Sequence, residues 1–371
     1  MDDEVTTIAP KLSAPFAWFG GKSRAASLVW NYLGDPPNYI EPFAGSLAVL
    51  LRRPMSQRST MMETVNDLDG SITNFWRAIK HDSESVAEWA SNPVHELDLH
   101  ARHLWLHRRL TSEDGLDAAA LAYARDKCVL PFAARLTMDQ EWFDSQFAGL
   151  WAWVVSSWIG NNCARPKCNS MPRLGGAGKG VNRQLPRLGD AGIGVNRKLP
   201  RLGDAGIGVN RKLPHLGGAG KGECARRRRV LVDWFSALSD RLRNVDVCCG
   251  DWTRVLSDAV LGRATPCAVF LDPPYSQDHG IDTVYGEHHS RTVAADVLAW
   301  CKAHGQDRNL RIALCGYDTE HVSLDAEGWT CEHWKAAGGY ANQSKGENTN
   351  RHRERIWFSP HCKRASLFDA E

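Results

Sequence analysis

The chain has 371 residues, 43% of them hydrophobic, which is enough for one large packed domain or two smaller ones and excludes a chain disordered throughout. No apolar run approaches about 18 residues and no charged-then-apolar leader precedes a small-residue cleavage site, so neither a membrane span nor export is expected. Net charge is only +2, yet 16 Lys and Arg face 3 acids between Arg165 and Arg229, a local +13 that leaves −11 on the rest. A basic segment on an otherwise acidic protein suggests a polyanion partner met at one place; a solvated basic face is the blander reading. The eleven cysteines are odd in number, scattered and without CxxC spacing. They fit free thiols in a reducing cytoplasm and no metal site.

Residues 1–13 read as a flexible tail, followed by Phe16-Ala17-Trp18-Phe19-Gly20-Gly21-Lys22. Tyr39-Ile40-Glu41 reads as a short strand entering Pro42-Phe43-Ala44-Gly45-Ser46, with an apolar helix start over Leu47 to Leu51. Thr60 to Val65 predicts a second strand ending at Asn66-Asp67. Ile72, Phe75, Trp76 and Ile79 then recur at the spacing of an amphipathic helix. This order is the opening of a doubly wound α/β domain. Residues 81–160 carry helical spacing without a convincing strand and read as an inserted helical subdomain.

Within residues 161–229 a 14-residue unit repeats, starting at Pro172, Pro186, Pro200 and Pro214. Its proline, glycines and Asn-Arg pair at fixed positions predict turns or short hairpins. After a helix marked by Val230, Leu231, Trp234, Leu238 and Leu242, the α/β pattern resumes. Strands are expected at Val245 to Cys248, at Cys267 to Leu271, at Leu310 to Cys315 and near Arg355 to Phe358. Helices are expected near Val255 to Leu261 and over Val293 to Cys301. Residues 14–80 and 230–371 thus form one interrupted domain.

Ligands of a doubly wound sheet bind beyond the carboxyl ends of its strands, which is where Asp272-Pro273-Pro274-Tyr275 falls. The prolines fix φ and remove N–H donors, leaving rigid carbonyl acceptors beside an acid and an aromatic ring. The exocyclic amine of a planar base needs two such acceptors and a ring to stack on. A proline-stiffened loop with a capping Asp is the plainer alternative.

DPPY, together with FGGK near the start, EPFAGS after the first strand, ND after the second and GDW before the catalytic strand, resembles the Dam-type DNA adenine-N6 methyltransferases. The motif order matches as well, over about residues 14–80 and 230–360. The resemblance implies a Rossmann-like methyltransferase domain dependent on S-adenosylmethionine (AdoMet). It also implies a cytoplasmic enzyme of bacterial or phage origin, working as a monomer or transient dimer with no metal.

Glu41, Pro42, Phe43 and Gly45 would wrap the methionine part of AdoMet. Asp67 would accept from the ribose and Asp251 from the cofactor's adenine, next to Trp252, while Trp18 and Lys22 would help to close the pocket. Asp272 and the carbonyl of Pro273 would hold the amine protons of a flipped adenine, with Pro274 stiffening the turn and Tyr275 stacking on the base. Two departures stand out: Leu47 where the family usually has Gly, and Trp252 where Phe is commoner.

In the same family the stretch before the catalytic half contacts DNA. Asn161, Asn162 and Arg165 resemble its entry, and Arg183, Arg197 and Arg211 recur once per repeat. Phosphate tracking is the favoured role, ahead of a passive insertion and of base readout. A P-loop is excluded, because GxxxxGK[ST] needs Gly where Phe16 stands. RNA or single-stranded DNA as substrate, and a DNA-binding protein without catalysis, are the alternative readings.

Overall fold

A computed structural model of the chain describes residues 12–16, 21–54, 61–94, 96–157, 223–275, 289–334 and 352–363. It is a mixed α/β structure around a seven-stranded sheet. The strands are β1 (Asn38–Glu41), β2 (Met62–Asp67), β3 (Val245–Cys249), β4 (Cys267–Leu271), β5 (Leu310–Tyr317), β6 (Thr330–His333) and β7 (Glu354–Phe358). Their order across the sheet is β3-β2-β1-β4-β5-β7-β6. The first five run parallel, and β7 is antiparallel to both β5 and β6.

Alternation along the strands explains why both faces are covered, since successive side chains of a strand point to opposite sides. Tyr39, Ala268, Phe270, Ala313 and Cys315 enter one buried cluster. Their neighbours Ile40, Val269, Leu271, Ile312 and Leu314 enter a second. Strands buried on both faces read as continuous apolar runs, which is how β4 and β5 read.

The first cluster is closed by α1 (Ala26–Leu33), α2 (Gly70–Ala90), α6 (Ser145–Ser157) and α7 (Glu223–Leu242). The predicted stripe Ile72, Phe75, Trp76 and Ile79 is fully buried in it. Asp69 caps α2 by accepting from the Ser71 N–H at 2.9 Å, as an N-cap carboxylate does. Between α2 and α6 lie α3 (Glu96–Thr111), α4 (Ala118–Asp126) and α5 (Pro131–Met138). Leu99, Leu106, Phe132, Leu136 and Phe147 of this helical segment share the first cluster with α2 and the sheet. The expected border near residue 80 falls inside α2, two residues before a non-helical Asp82.

The second cluster is covered by α8 (Asp258–Leu261), α9 (His289–His304) and a 3-10 turn at Trp252–Val255. Two elements differ from expectation. No α-helix follows β1 in place of Leu47 to Leu51; a single 3-10 turn, Leu50–Arg52, is formed, because Gly45 and Leu47 take positive φ of 45° and 53°. The apolar stretch near Val255 to Leu261 splits into the 3-10 turn and α8.

The tryptophans serve mainly as core: Trp30, Trp76, Trp151, Trp153, Trp252, Trp329, Trp334 and Trp357 are buried. Cys249, Cys267, Cys301 and Cys315 are buried free thiols. No helix among the described residues is long and apolar enough to cross a membrane.

Candidate active site

The strand order reverses between β1 and β4, with β2 and β3 to one side and β5 to the other. A parallel sheet opens a crevice at such a point, outside the carboxyl ends of the two diverging strands. β1 ends at Glu41 and β4 at Leu271, and Ile40 pairs with Val269. The turns Glu41-Pro42-Phe43 and Asp272-Pro273-Pro274-Tyr275 therefore leave the sheet side by side.

Four charged or polar side chains meet at this rim. Lys22, 3% exposed, places its Nζ 2.9 Å from Asp272 Oδ1 and 3.6 Å from Glu354 Oε2. The Tyr275 hydroxyl lies 3.2 Å from the same two oxygens. Burial works against the Lys22 charge, but Asp272 and then Glu354 outweigh it and raise its proton affinity, so Lys22 is an ammonium. Burial, followed by the nearby Asp272, raises the Tyr275 phenol well above its ordinary range, so it keeps its proton.

Among the described residues every partner of Asp272 sits on Oδ1, which leaves Oδ2 open, and the side chain is 21% exposed. The Pro273 carbonyl accepts no hydrogen bond from a described residue. The two acceptors that an exocyclic amine requires are both present. The Tyr275 ring is only 8% exposed: Lys22 lies over it at 5.3 Å from the centroid, and Tyr317 packs against it at 4.7 Å in a T-shape. A base stacking on that ring needs its cover to open first.

The turn after β1 is fastened to its neighbours by backbone and carboxylate bonds. The Gly45 N–H donates to Asp67 Oδ2 and the Asp69 N–H to Asp67 Oδ1, each at 2.9 Å. Asn66 reaches with Nδ2 to the carbonyls of Pro42 at 3.1 Å and Gly250 at 2.9 Å, while its Oδ1 is buried without a partner among the described residues. Asp251, exposed at the end of β3, caps the Trp252 turn by accepting from the Thr253 N–H at 3.0 Å. The rings of Phe43 and Trp252 face each other at 6.1 Å and 26°.

Leu47 takes the left-handed backbone that glycine adopts freely, and its side chain is fully buried in the first cluster. Left-handed strain costs roughly 1–2 kcal/mol. Losing a buried leucine costs roughly 3–5 kcal/mol, so the side chain wins. Leu47→Gly is expected to destabilise by about 2 kcal/mol in urea unfolding; a gain in stability would show that strain dominates.

The carboxyl of Glu41 is 2% exposed and accepts from the Tyr39 hydroxyl at 2.9 Å. Burial pushes it up from 4.5 to about 8, against the Tyr39 bond that favours the charged form, with the Asp272 charge adding to the rise. The folded chain thus keeps a proton that the unfolded chain releases above 4.5. The stability this confers is present below that pH and is lost as pH climbs through 8. Glu41→Gln removes the linkage. Its stability relative to the parent should grow by about 1 kcal/mol per pH unit from pH 5 to 8, then level off. Urea midpoints that stay parallel across this range would contradict a buried, protonated Glu41.

Trp18, Asn161, Asn162, Arg165, Arg183, Arg197 and Arg211 lie outside the described residues, as do the 14-residue repeats. The structure brings Lys22 to the DPPY turn, where the resemblance had it helping to close the cofactor pocket. It adds three residues that sequence reasoning passed over. Glu354 is delivered by the register of β7, which pairs it with Tyr317. Trp334, buried, holds its ring 5.6 Å from Lys22 Nζ, and Asn66 ties two turns together. Only Asn66 had a signal, as the first letter of the ND pair. Against protein-family models and curated proteins, the chain matches none.

Proposed function

We propose that this chain is a DNA adenine-N6 methyltransferase using AdoMet, built on a Rossmann-like domain. The observation that carries the reading is the DPPY turn at the strand-order reversal. Asp272 has Oδ1 anchored by Lys22 and Tyr275, while its Oδ2 and the carbonyl of the next residue, Pro273, have no donor among the described residues. The residues at the neighbouring strand ends fit the donor. Asp67 and Asp251 are carboxylates suited to a ribose diol and an adenine amine, and the partly buried Phe43 ring, stacked on the buried Trp252, adds an apolar face at the rim. When bound, AdoMet supplies a methyl group on a positively charged sulfur.

Asp272 and the Pro273 carbonyl would orient the amine hydrogens and lend the nitrogen electron density; as the nitrogen–methyl bond forms and the sulfur–methyl bond breaks, the amine gives up one proton, for which the Asp272 carboxylate would be the acceptor. Much of the acceleration then comes from placement, since two bound partners react within one site. An adenine inside a duplex hides its amine, so the base has to leave the stack, at a cost of a few kcal/mol. The basic stretch from Arg165 to Arg229 suits the phosphates on either side.

The test is methyl transfer from labelled AdoMet to duplex DNA, single-stranded DNA and RNA, with digestion and identification of the modified nucleoside. N6-methyladenine from duplex DNA is the expected product. Label in RNA or single strands alone would move the substrate, and no label on any of them would remove the reading.

A further inference from the structure

We propose that Glu354, outside every motif of the site, is a positioning residue for methyl transfer. It draws Lys22 and Tyr275 into a bridge between two carboxylates, so that Asp272 keeps Oδ2 for the substrate amine. The inference rests on the methyltransferase reading above.

β7 runs against its neighbours, so its first residue, Glu354, arrives at the rim where the parallel strands end. Its side chain is 12% exposed, and Oε2 sits within 3.6 Å of Lys22 Nζ and 3.2 Å of the Tyr275 hydroxyl. Lys22 and Tyr275 each contact one oxygen of Asp272 and one of Glu354, the same pair of atoms in both cases. An ammonium has three hydrogens and can serve both acids, whereas a phenol has one and donates to a single acid at a time. Without the Glu354 charge, the ammonium and the phenol hydrogen both fall to Asp272. That carboxylate then offers less density to an amine and its plane is no longer fixed. Among the described residues a neighbouring charged pair, Arg353 with Asp318 at 3.1 Å, packs on another ring, with the Arg353 guanidinium 4.9 Å from the Tyr317 ring centre.

Glu354→Gln keeps the size and removes the charge. In single-turnover transfer from AdoMet to an adenine-containing duplex, its rate should fall about 10- to 100-fold, as expected for a misaligned reacting group. AdoMet and DNA affinity should stay within about twofold of the parent, because Glu354 meets neither in the ground state. In a Tyr275→Phe background the same substitution should cost much less, since part of its effect passes through the lost hydroxyl.

A parental transfer rate in Glu354→Gln overturns the proposal. So does a loss carried by weaker binding alone, or full additivity with Tyr275→Phe. If Glu354→Gln does not fold, Glu354→Asp, too short to reach both partners, carries the test: slower transfer with intact binding supports the proposal, and a parental rate sinks it. A parent chain that methylates nothing removes the underlying reading, and this proposal with it. A parent that methylates as fast as Glu354→Gln removes the proposal alone.

Discussion

Asp272→Asn is expected to slow methyl transfer by about 10³-fold while leaving AdoMet affinity within about twofold of the parent. Asparagine keeps the volume of the side chain and one carbonyl oxygen, so the turn between β4 and Tyr275 retains its shape. The charge is what disappears. Lys22 is then left with Glu354 at 3.6 Å as its only described carboxylate partner, and the amide turns either its oxygen or its nitrogen towards the buried ammonium. With the nitrogen inward a buried charge loses an acceptor; with the oxygen inward the NH2 group faces the substrate amine and repels it. The second arrangement removes the acceptor that holds the amine in line, and the first leaves only a neutral oxygen there, a weaker acceptor than a carboxylate. Asp67, at the end of β2, and Asp251, just beyond β3, which the proposed reading assigns to the donor, make no described contact with Asp272. Single-turnover kinetics with calorimetric binding measures the two quantities separately. Undiminished turnover would show that Asp272 has no part in the chemistry.

The largest structural effect is expected at Gly149, where α6 crosses α2. A Cβ added there would fall 2.4 Å from Trp89 Cβ, 2.6 Å from the Val86 carbonyl oxygen and 3.1 Å from the Ala90 nitrogen. Two of those atoms are backbone, so relief requires the helices to part. Gly149→Val is expected to destabilise by at least about 3 kcal/mol in urea unfolding. Relief of glycine's poor helix propensity returns only about 0.5 kcal/mol of this, since β-branched valine is itself a weak helix former. Since α6 shares the first buried cluster with α2, helix loss followed by circular dichroism should separate from tryptophan fluorescence as the seam opens. A midpoint equal to the parent's would mean that the helices slide apart freely.

The parallel strands were legible because their burial on both faces writes continuous apolar runs, as in Cys267 to Leu271, and because each ends on an acid or a turn. The DPPY turn was legible for a related reason: two prolines cannot continue a central strand, so the chain must leave the sheet there. What stayed hidden depends on pairing. β6 shows mostly exposed positions along Thr330–His333, so it has no apolar run to betray it, and only pairing with β7 makes it a strand. α1 over Ala26–Leu33 was passed over, although Ala26, Val29, Trp30 and Leu33 are buried along it. The helix expected from Leu47 to Leu51 looked sound by hydrophobicity, but with positive φ at Gly45 and Leu47 only one α-type bond closes, Leu51 N–H to the Leu47 carbonyl, and the bonds that follow are of the 3-10 kind. Glu354 could not be read as a site residue, because an antiparallel strand brings its beginning, not its end, to the working rim.

The single amide group of Asn66 holds the carbonyls of Pro42 and Gly250, which stand 208 positions apart in the sequence, in one grip. Two loops that look independent in the chain therefore behave as one mechanical part. Loosening either frees the other. Change at one turn is answerable to the other, because the Asn66 side chain adds its grip to the backbone bonds that Ala44 and Gly250 make to the end of β2.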